Sequence, residues 1–240
     1  MEEMLNLKFI EIEYAHKSWE PFFNKHSNLL KKIDDFLEGK DFNPLPENIM
    51  RFCKYDLNNV KVVIIGQDTY PARGVATGRA FEVGGLYSWN QTFRQVSLKN
   101  IIRNIYGTYE NKSTYTTFSE IISDINEGNF YILPPDELFE SWSKQGVLLI
   151  NGALTCEVGQ PGSHSEIWKE FMDLLVEYIA NYSKNIKFFL WGSYAKDFSR
   201  LIKGNKIYSS RHPMMCSETY YDDFLKNPCF KETMNEIKWI

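Results

Sequence analysis

Three short apolar runs stand out along this chain, and each closes on glycine, asparagine or tryptophan. Val60–Ile65 reads Val-Lys-Val-Val-Ile-Ile and stops at Gly66, Gly146–Asn151 reads Gly-Val-Leu-Leu-Ile-Asn, and Ile186–Trp191 reads Ile-Lys-Phe-Phe-Leu-Trp. Near-continuous apolar runs of this length are the pattern of strands covered on both faces. Lys206–Ser210 is a candidate fourth, shorter strand. Between the runs the period changes. Ser27–Leu37 is apolar at Leu29, Leu30, Ile33 and Leu37, and Ser165–Tyr182 at Ile167, Phe171, Leu174, Leu175 and Ile179. That is the spacing of helices with one inward face. Strands alternating with helices predict an α/β fold, a central and mostly parallel four-stranded sheet flanked by helices.

No internal repeat or low-complexity linker interrupts the 240 residues, so 1–240 is expected to form a single domain. The 43% hydrophobic content supplies a sizeable core. The longest apolar runs, Val62–Ile65 and Val147–Ile150, are far shorter than the roughly 20 residues of a membrane span. The opening Met1-Glu2-Glu3-Met4 lacks the basic, then apolar, pattern of a secretory signal, which makes a cytoplasmic protein the expectation. Cys53, Cys156, Cys216 and Cys229 are widely separated, with no CxxC pair and no histidine at zinc spacing. They are expected to be reduced thiols, and no metal site is expected. The net charge of −4 argues against a protein that coats nucleic acid, but leaves room for an enzyme with a focused basic cleft.

In open α/β sheets, ligands bind outside the carboxyl ends of the strands. Here those ends carry Gln67-Asp68, Asn151, Gly192-Ser193 and, after the short strand, His212. A carboxylate, an amide and an imidazole would then surround one cleft. Taken singly, each residue has a plain structural reading. Asp68 is a helix cap or turn residue, Asn151 the same, His212 before Pro213 a loop residue, Phe81 a core aromatic and Tyr70-Pro71 a turn.

Together they carry more. Gly66-Gln67-Asp68-Thr69-Tyr70-Pro71, followed by Gly74, Ala76, Gly78 and Phe81, resembles the water-activating motif of family 1 uracil-DNA glycosylases. Gly146–Asn151, then Leu154-Thr155 and Ser163-His164, is similar to that family's uracil-recognition segment. Leu190–Ala195 and His212-Pro213, with Ser217, resemble its last strand and DNA-intercalation loop, and Ser97–Ile101 its phosphate-pinching serine loop. The motifs stand in family order from about Trp19 to Trp239.

The resemblance implies a cofactor-free DNA glycosylase that hydrolyses the N-glycosidic bond of a flipped uracil in base-excision repair. Asp68 would hold the attacking water and offset the sugar cation, and a neutral His212 would donate to the uracil oxygen where negative charge gathers. Preorganised electrostatics of this kind usually supply the largest catalytic contribution. Asn151 would read the base, Phe81 would stack on it, Tyr70 would press against C5 to refuse thymine, and Gln67 would contribute its backbone. His164 is read as a structural hydrogen-bonder. Ser97, Ser193 and Ser217 would meet phosphates, with Arg211 and Arg94 as cations at the pocket mouth. DNA, single- or double-stranded, is the expected partner, with a proteinaceous glycosylase inhibitor as a further candidate and no membrane. The chain is expected to be a monomer.

Several positions depart from the family. Thr69 stands where proline is usual and Pro71 where histidine is usual. Arg79 replaces an apolar or small residue close to the base pocket. Cys216 aligns with the leucine wedge, preceded by Met214 and Met215, of which Met215 is long and adaptable enough to fill the void of a flipped base. The 84–96 loop, bearing Tyr87, Trp89 and Phe93, and the 110–140 loop are longer than usual. The aromatic loop could stack on bases or simply pack on itself. These departures keep two alternatives open: a same-fold glycosylase for a C5-substituted pyrimidine such as those in phage DNA, with Arg79 touching the substituent, and a catalytically silent DNA- or partner-binding module.

Overall fold

A computed structural model describes residues 7–240. The reading of Met1–Met4 therefore lies outside the described residues.

The four apolar segments form one sheet, β1 (Val62–Asp68), β2 (Val147–Ala153), β3 (Lys187–Trp191) and β4 (Ile207–Ser210), in the order β2-β1-β3-β4 and parallel throughout. Each strand begins one or two residues later than the apolar pattern predicts, and β1 and β2 run further at their carboxyl ends. The extension has a cause in register. Gly66 pairs with Asn151 and Asp68 with Ala153, so Gln67-Asp68 belongs to the strand rather than to the loop after it. Pairing of β1 with β3 stops at Ile65 opposite Leu190. The last three residues of β1 are thus flanked by β2 alone, and the uncovered side is where the site lies.

The two-residue alternation of strands divides the core. Val63, Ile65, Leu148, Ile150, Phe188 and Leu190 face one side. There they pack against α1 (Ser27–Leu37), through Leu30, Ile33 and Leu37, and against the long Ser165–Tyr182 helix, through Trp168, Phe171, Leu175 and Ile179. Both helices have the predicted bounds. Val62, Ile64, Val147, Leu149, Phe189 and Trp191 face the other side. They meet α2 (Val96–Glu110), through Leu98, Ile101 and Ile105, together with the buried Trp142, Phe230 and Trp239. The hydrophobic driving force, roughly proportional to apolar area buried, is therefore spent on both faces.

The 110–140 stretch is not a long loop. It contains α3 (Phe118–Asn126) and the start of α4 (Pro135–Lys144). A reciprocal capping box opens α3: Thr117 accepts from the Glu120 backbone N–H, and Glu120 accepts from that of Thr117. This arrangement satisfies two otherwise orphaned donors. The 84–96 loop packs mainly on itself and its neighbours. Trp89 is buried and donates to Leu133 O at 2.8 Å, Phe93 is buried edge-on to Phe118 at 5.6 Å, and Tyr87 alone of the three aromatics is exposed. The long helix Ser165–Tyr182 is α5, and a short α6 (Gly192–Asp197) follows β3 directly.

Candidate active site

Asp68 ends β1 with its carboxylate half-buried. Burial pushes its pKa above the ordinary carboxylate value, and the Ser165 hydroxyl, donating to Oδ1 at 3.4 Å from the first turn of α5, pulls part of the way back. A partly dehydrated carboxylate interacts more strongly with a neighbouring positive charge than one in bulk water.

His212 follows β4 by two residues and is held against the end of β3. The backbone there needs Gly192, whose φ is +88° and whose absent Cβ would stand 3.0 Å from that of His212. Burial lowers the His212 pKa, so the ring is neutral at neutral pH. Its Nδ1 accepts the Met214 backbone N–H at 3.2 Å. A backbone N–H can only donate, so the proton of the neutral ring sits on Nε2. The imidazole is therefore set as a hydrogen-bond donor. His212 shares a cavity of about 210 Å³ with Gln67, Trp191, Ser193, Tyr194 and Met214, which places the imidazole beside the end of β1.

Phe81 lies on the same side, its ring 5.6 Å from Trp191 and 6.1 Å from His212. Its φ of +66° is costly for a bulky residue and is the kind of strain that clusters at functional sites. Asn151 is buried opposite Gly66, and its Nδ2 donates to Thr69 Oγ1 at 3.4 Å. Tyr70 is partly buried, with its hydroxyl pushed up to about 12 by burial. Gln67 is exposed at the pocket edge.

Three expectations need correction. Arg79 is buried and does not serve the pocket. Its guanidinium bonds Glu82 at 3.1 Å, Glu140 and the Tyr55 hydroxyl. A buried arginine needs such partners, and these two carboxylates compensate its charge. Cys216 is half-buried and turned inward rather than standing out like a wedge. Its thiol points to Pro213 O at 3.2 Å and packs on the core, while Met214 and Met215 stand 59% and 51% exposed. Arg211 is not a free cation at the pocket mouth: its Nε donates to Asp222 at 2.7 Å and its guanidinium lies 3.9 Å over the Tyr220 ring.

Of the serines, Ser193 is exposed in the first turn of α6, and Ser97 is half-buried in the first turn of α2. Ser217 is half-buried, its backbone N–H on Asp223. Arg94 is exposed. His164 is buried, with Nδ1 2.8 Å from Thr155 Oγ1, which also accepts from Trp168. That is the structural role read from the sequence.

Three contributors escaped the sequence reading. Ser165 adjoins the Ser163-His164 motif, but its contact with Asp68 spans 97 residues. Asn100 donates to Pro213 O at 2.6 Å and so anchors the loop behind His212. Thr69, visible only as a departure from the family pattern, touches Asn151.

The chain is similar to known proteins over most of its length. The family model of the uracil DNA glycosylase superfamily matches residues 52–238. The uracil-DNA glycosylase of Francisella philomiragia is 34% identical over 203 residues, covering 83% of this chain and 81% of the relative. The crystal structure of mimivirus uracil-DNA glycosylase superposes with a TM-score of 0.72 at 22% identity, covering 96% of this chain and 86% of that one. A variant mimivirus UNG in complex with UGI superposes at 0.66, with 24% identity and 85% and 73% coverage.

Proposed function

The chain belongs to the uracil-DNA glycosylase superfamily, and on that premise we propose which of its residues carry the reaction. It is a monofunctional DNA glycosylase that hydrolyses the N-glycosidic bond of uracil in DNA, the first step of base-excision repair.

Breaking this bond leaves positive charge on the sugar and negative charge on the departing base. Asp68 meets the first demand: its carboxylate faces the sugar cation and holds the water that adds to it. His212 meets the second. As a neutral ring with its proton on Nε2, it donates to the base oxygen where charge accumulates, without needing a proton from solvent. Fixed groups of this kind cost no reorganisation when the charge appears. The fixed tautomer of His212, set by the Met214 N–H, is the observation that carries this assignment. It gives the imidazole the single role that the leaving base requires.

Asn151 reads the base, Phe81 stacks on it, and Tyr70 lies against C5, with Gln67 offering its backbone. Extruding a base from the duplex costs a few kcal/mol, which stacking on Phe81 offsets in part. Ser97, Ser193 and Ser217 meet phosphates, which position the strand without reading its sequence. Met215 is the exposed side chain that fills the gap left by the flipped base. Because Arg79 is committed to Glu82 and Glu140, no cation is left there to read a polar C5 substituent, which favours uracil over the modified pyrimidine.

The proposal extends to 1–240 acting as one uracil-DNA glycosylase-like domain and as a monomer. The mimivirus UNG complex with UGI supports a proteinaceous inhibitor as a partner. The four unpaired cysteines accord with a cytoplasmic location. The test is release of uracil from a single-site oligonucleotide by wild type, Asp68→Asn and His212→Ala. Each variant is expected to lose at least about a hundredfold in rate, as for other preorganised groups. Wild-type rates in both would remove the assignment.

A further inference from the structure

We infer that Thr69 fixes the orientation of the Asn151 amide and thereby makes the site select uracil over cytosine. The inference rests on the reading of Asn151 as the residue that meets the base.

Thr69 is buried, and its hydroxyl carries a single proton. Its Oγ1 lies 3.1 Å from Ala153 O, which can only accept, so the proton goes there. The strand register supports the contact, because Asp68 pairs with Ala153 and Thr69 follows immediately. What Thr69 turns toward Asn151 is then a lone pair, and only an N–H can meet it. That places Nδ2 on Thr69, at 3.4 Å, and Oδ1 on the far side of the amide, over Gly66. Among the described residues no hydrogen bond reaches Asn151 Oδ1. It and the second Nδ2 proton remain for a ligand.

An acceptor beside a donor complements the N3–H and O4 of uracil. Cytosine presents the opposite pair, an N3 acceptor and an N4 amino donor, and needs the amide reversed. Reversal sets Oδ1 against Thr69 Oγ1. Either two acceptors then face each other, or Thr69 abandons Ala153 and leaves a buried carbonyl unpaired. Both outcomes carry the penalty of an unmade hydrogen bond, which holds the reversed amide to roughly a tenth of molecules or fewer. Thr69 is thus a positioning residue: it acts through Asn151 and touches no substrate.

Thr69→Val keeps the shape and removes the hydroxyl, and Thr69→Ser keeps the hydroxyl. The readout is the ratio of dissociation constants for free cytosine and free uracil, measured by competition against a fluorescent oligonucleotide, together with the melting temperature. With the lock gone the two amide orientations approach equal weight. Uracil affinity should then fall only about twofold, while the cytosine-to-uracil ratio moves toward cytosine on the order of tenfold. Thr69→Ser should retain the wild-type ratio. A purely structural role would lower the melting temperature and leave the ratio in place. Should the valine variant misfold, Thr69→Ala carries the same expectation. A ratio unmoved in the folded variant, or cytosine binding still undetectable there, overturns the assignment to Thr69. A wild type that shows no preference for uracil overturns instead the reading of Asn151 on which it rests.

Discussion

Asn151 lies over Gly66 so closely that a Cβ on Gly66 would stand 2.5 Å from Asn151 Oδ1 and 2.9 Å from Ala80 Cβ. The glycine is needed here for space, because it sits in a regular strand paired with Asn151 across the sheet. A side chain on Gly66 would thus run into both the Asn151 amide and Ala80, and one of them must move.

Gly66→Ala should therefore displace Asn151 and reduce uracil excision by on the order of a hundredfold, the usual cost of an ångström of misplacement at a reacting centre. Steady-state kinetics with uracil-containing DNA would check it. Excision within threefold of wild type would mean that the side chain tolerates another position.

The pH profile follows from two shifts of opposite direction. Burial raises Asp68 above its ordinary 3.8 and lowers His212 below its ordinary 6.5. In the proposed reaction Asp68 works ionised and His212 works neutral, so falling pH disables both, Asp68 through a pKa above 3.8 and His212 through one below 6.5. The ratio kcat/KM should fall toward acid pH, more steeply than one proton allows where the two protonations overlap. His212→Asn should reduce that steepness toward a single proton. A His212→Asn profile as steep as that of wild type would show that His212 does not titrate in the acid limb.

Met214 and Met215 stand out in solvent while Cys216 turns inward. Met215→Ala should lower the rate on duplex DNA several-fold more than on single-stranded DNA, where there is no stacked gap to fill. Cys216→Ser should leave that difference unchanged. Equal losses on both substrates would remove Met215 from the role.

Arg79 and Glu82 are a buried pair joined by Glu140. Arg79→Met takes its closer cation from the buried Glu82 and leaves Arg51 at 3.4 Å, so the fold should be destabilised by up to about 3 kcal/mol. The preference among uracil, thymine and C5-substituted bases should not change. Denaturant unfolding and a substrate panel together check the point. A changed preference would return Arg79 to the pocket.

Most of the sheet was legible because three of its strands carry near-continuous apolar runs: Val62–Ile65 and Val147–Ile150 read as buried from composition alone. The motif residues were legible because they sit at strand ends, where the fold class already places ligands. What could not be read depended on partners distant in sequence. Arg79 stands beside the pocket motif, and nothing local reveals Glu140, 61 residues on, as its counter-ion. Cys216 aligned with a wedge, but the turn made by Met215 N–H on His212 O directs the neighbouring side chains outward and the thiol inward. The α3 helix does carry a local signal, the capping pattern Thr117-Phe-Ser-Glu120 ahead of Ile121, Ile122 and Ile125, which the length of the stretch obscures.

In the proposed reaction Asp68 acts in the transition state rather than in binding. The most direct measurement is single-turnover release of uracil from one oligonucleotide by wild type and Asp68→Asn, with the affinity of each for that DNA taken alongside. Wild type is expected to release uracil and leave thymine, and Asp68→Asn to bind nearly as well but react slower by about a hundredfold or more, which is the role proposed for Asp68. An Asp68→Asn enzyme reacting at the wild-type rate, or a wild type that removes a bulky C5-modified pyrimidine and leaves uracil in place, would contradict it.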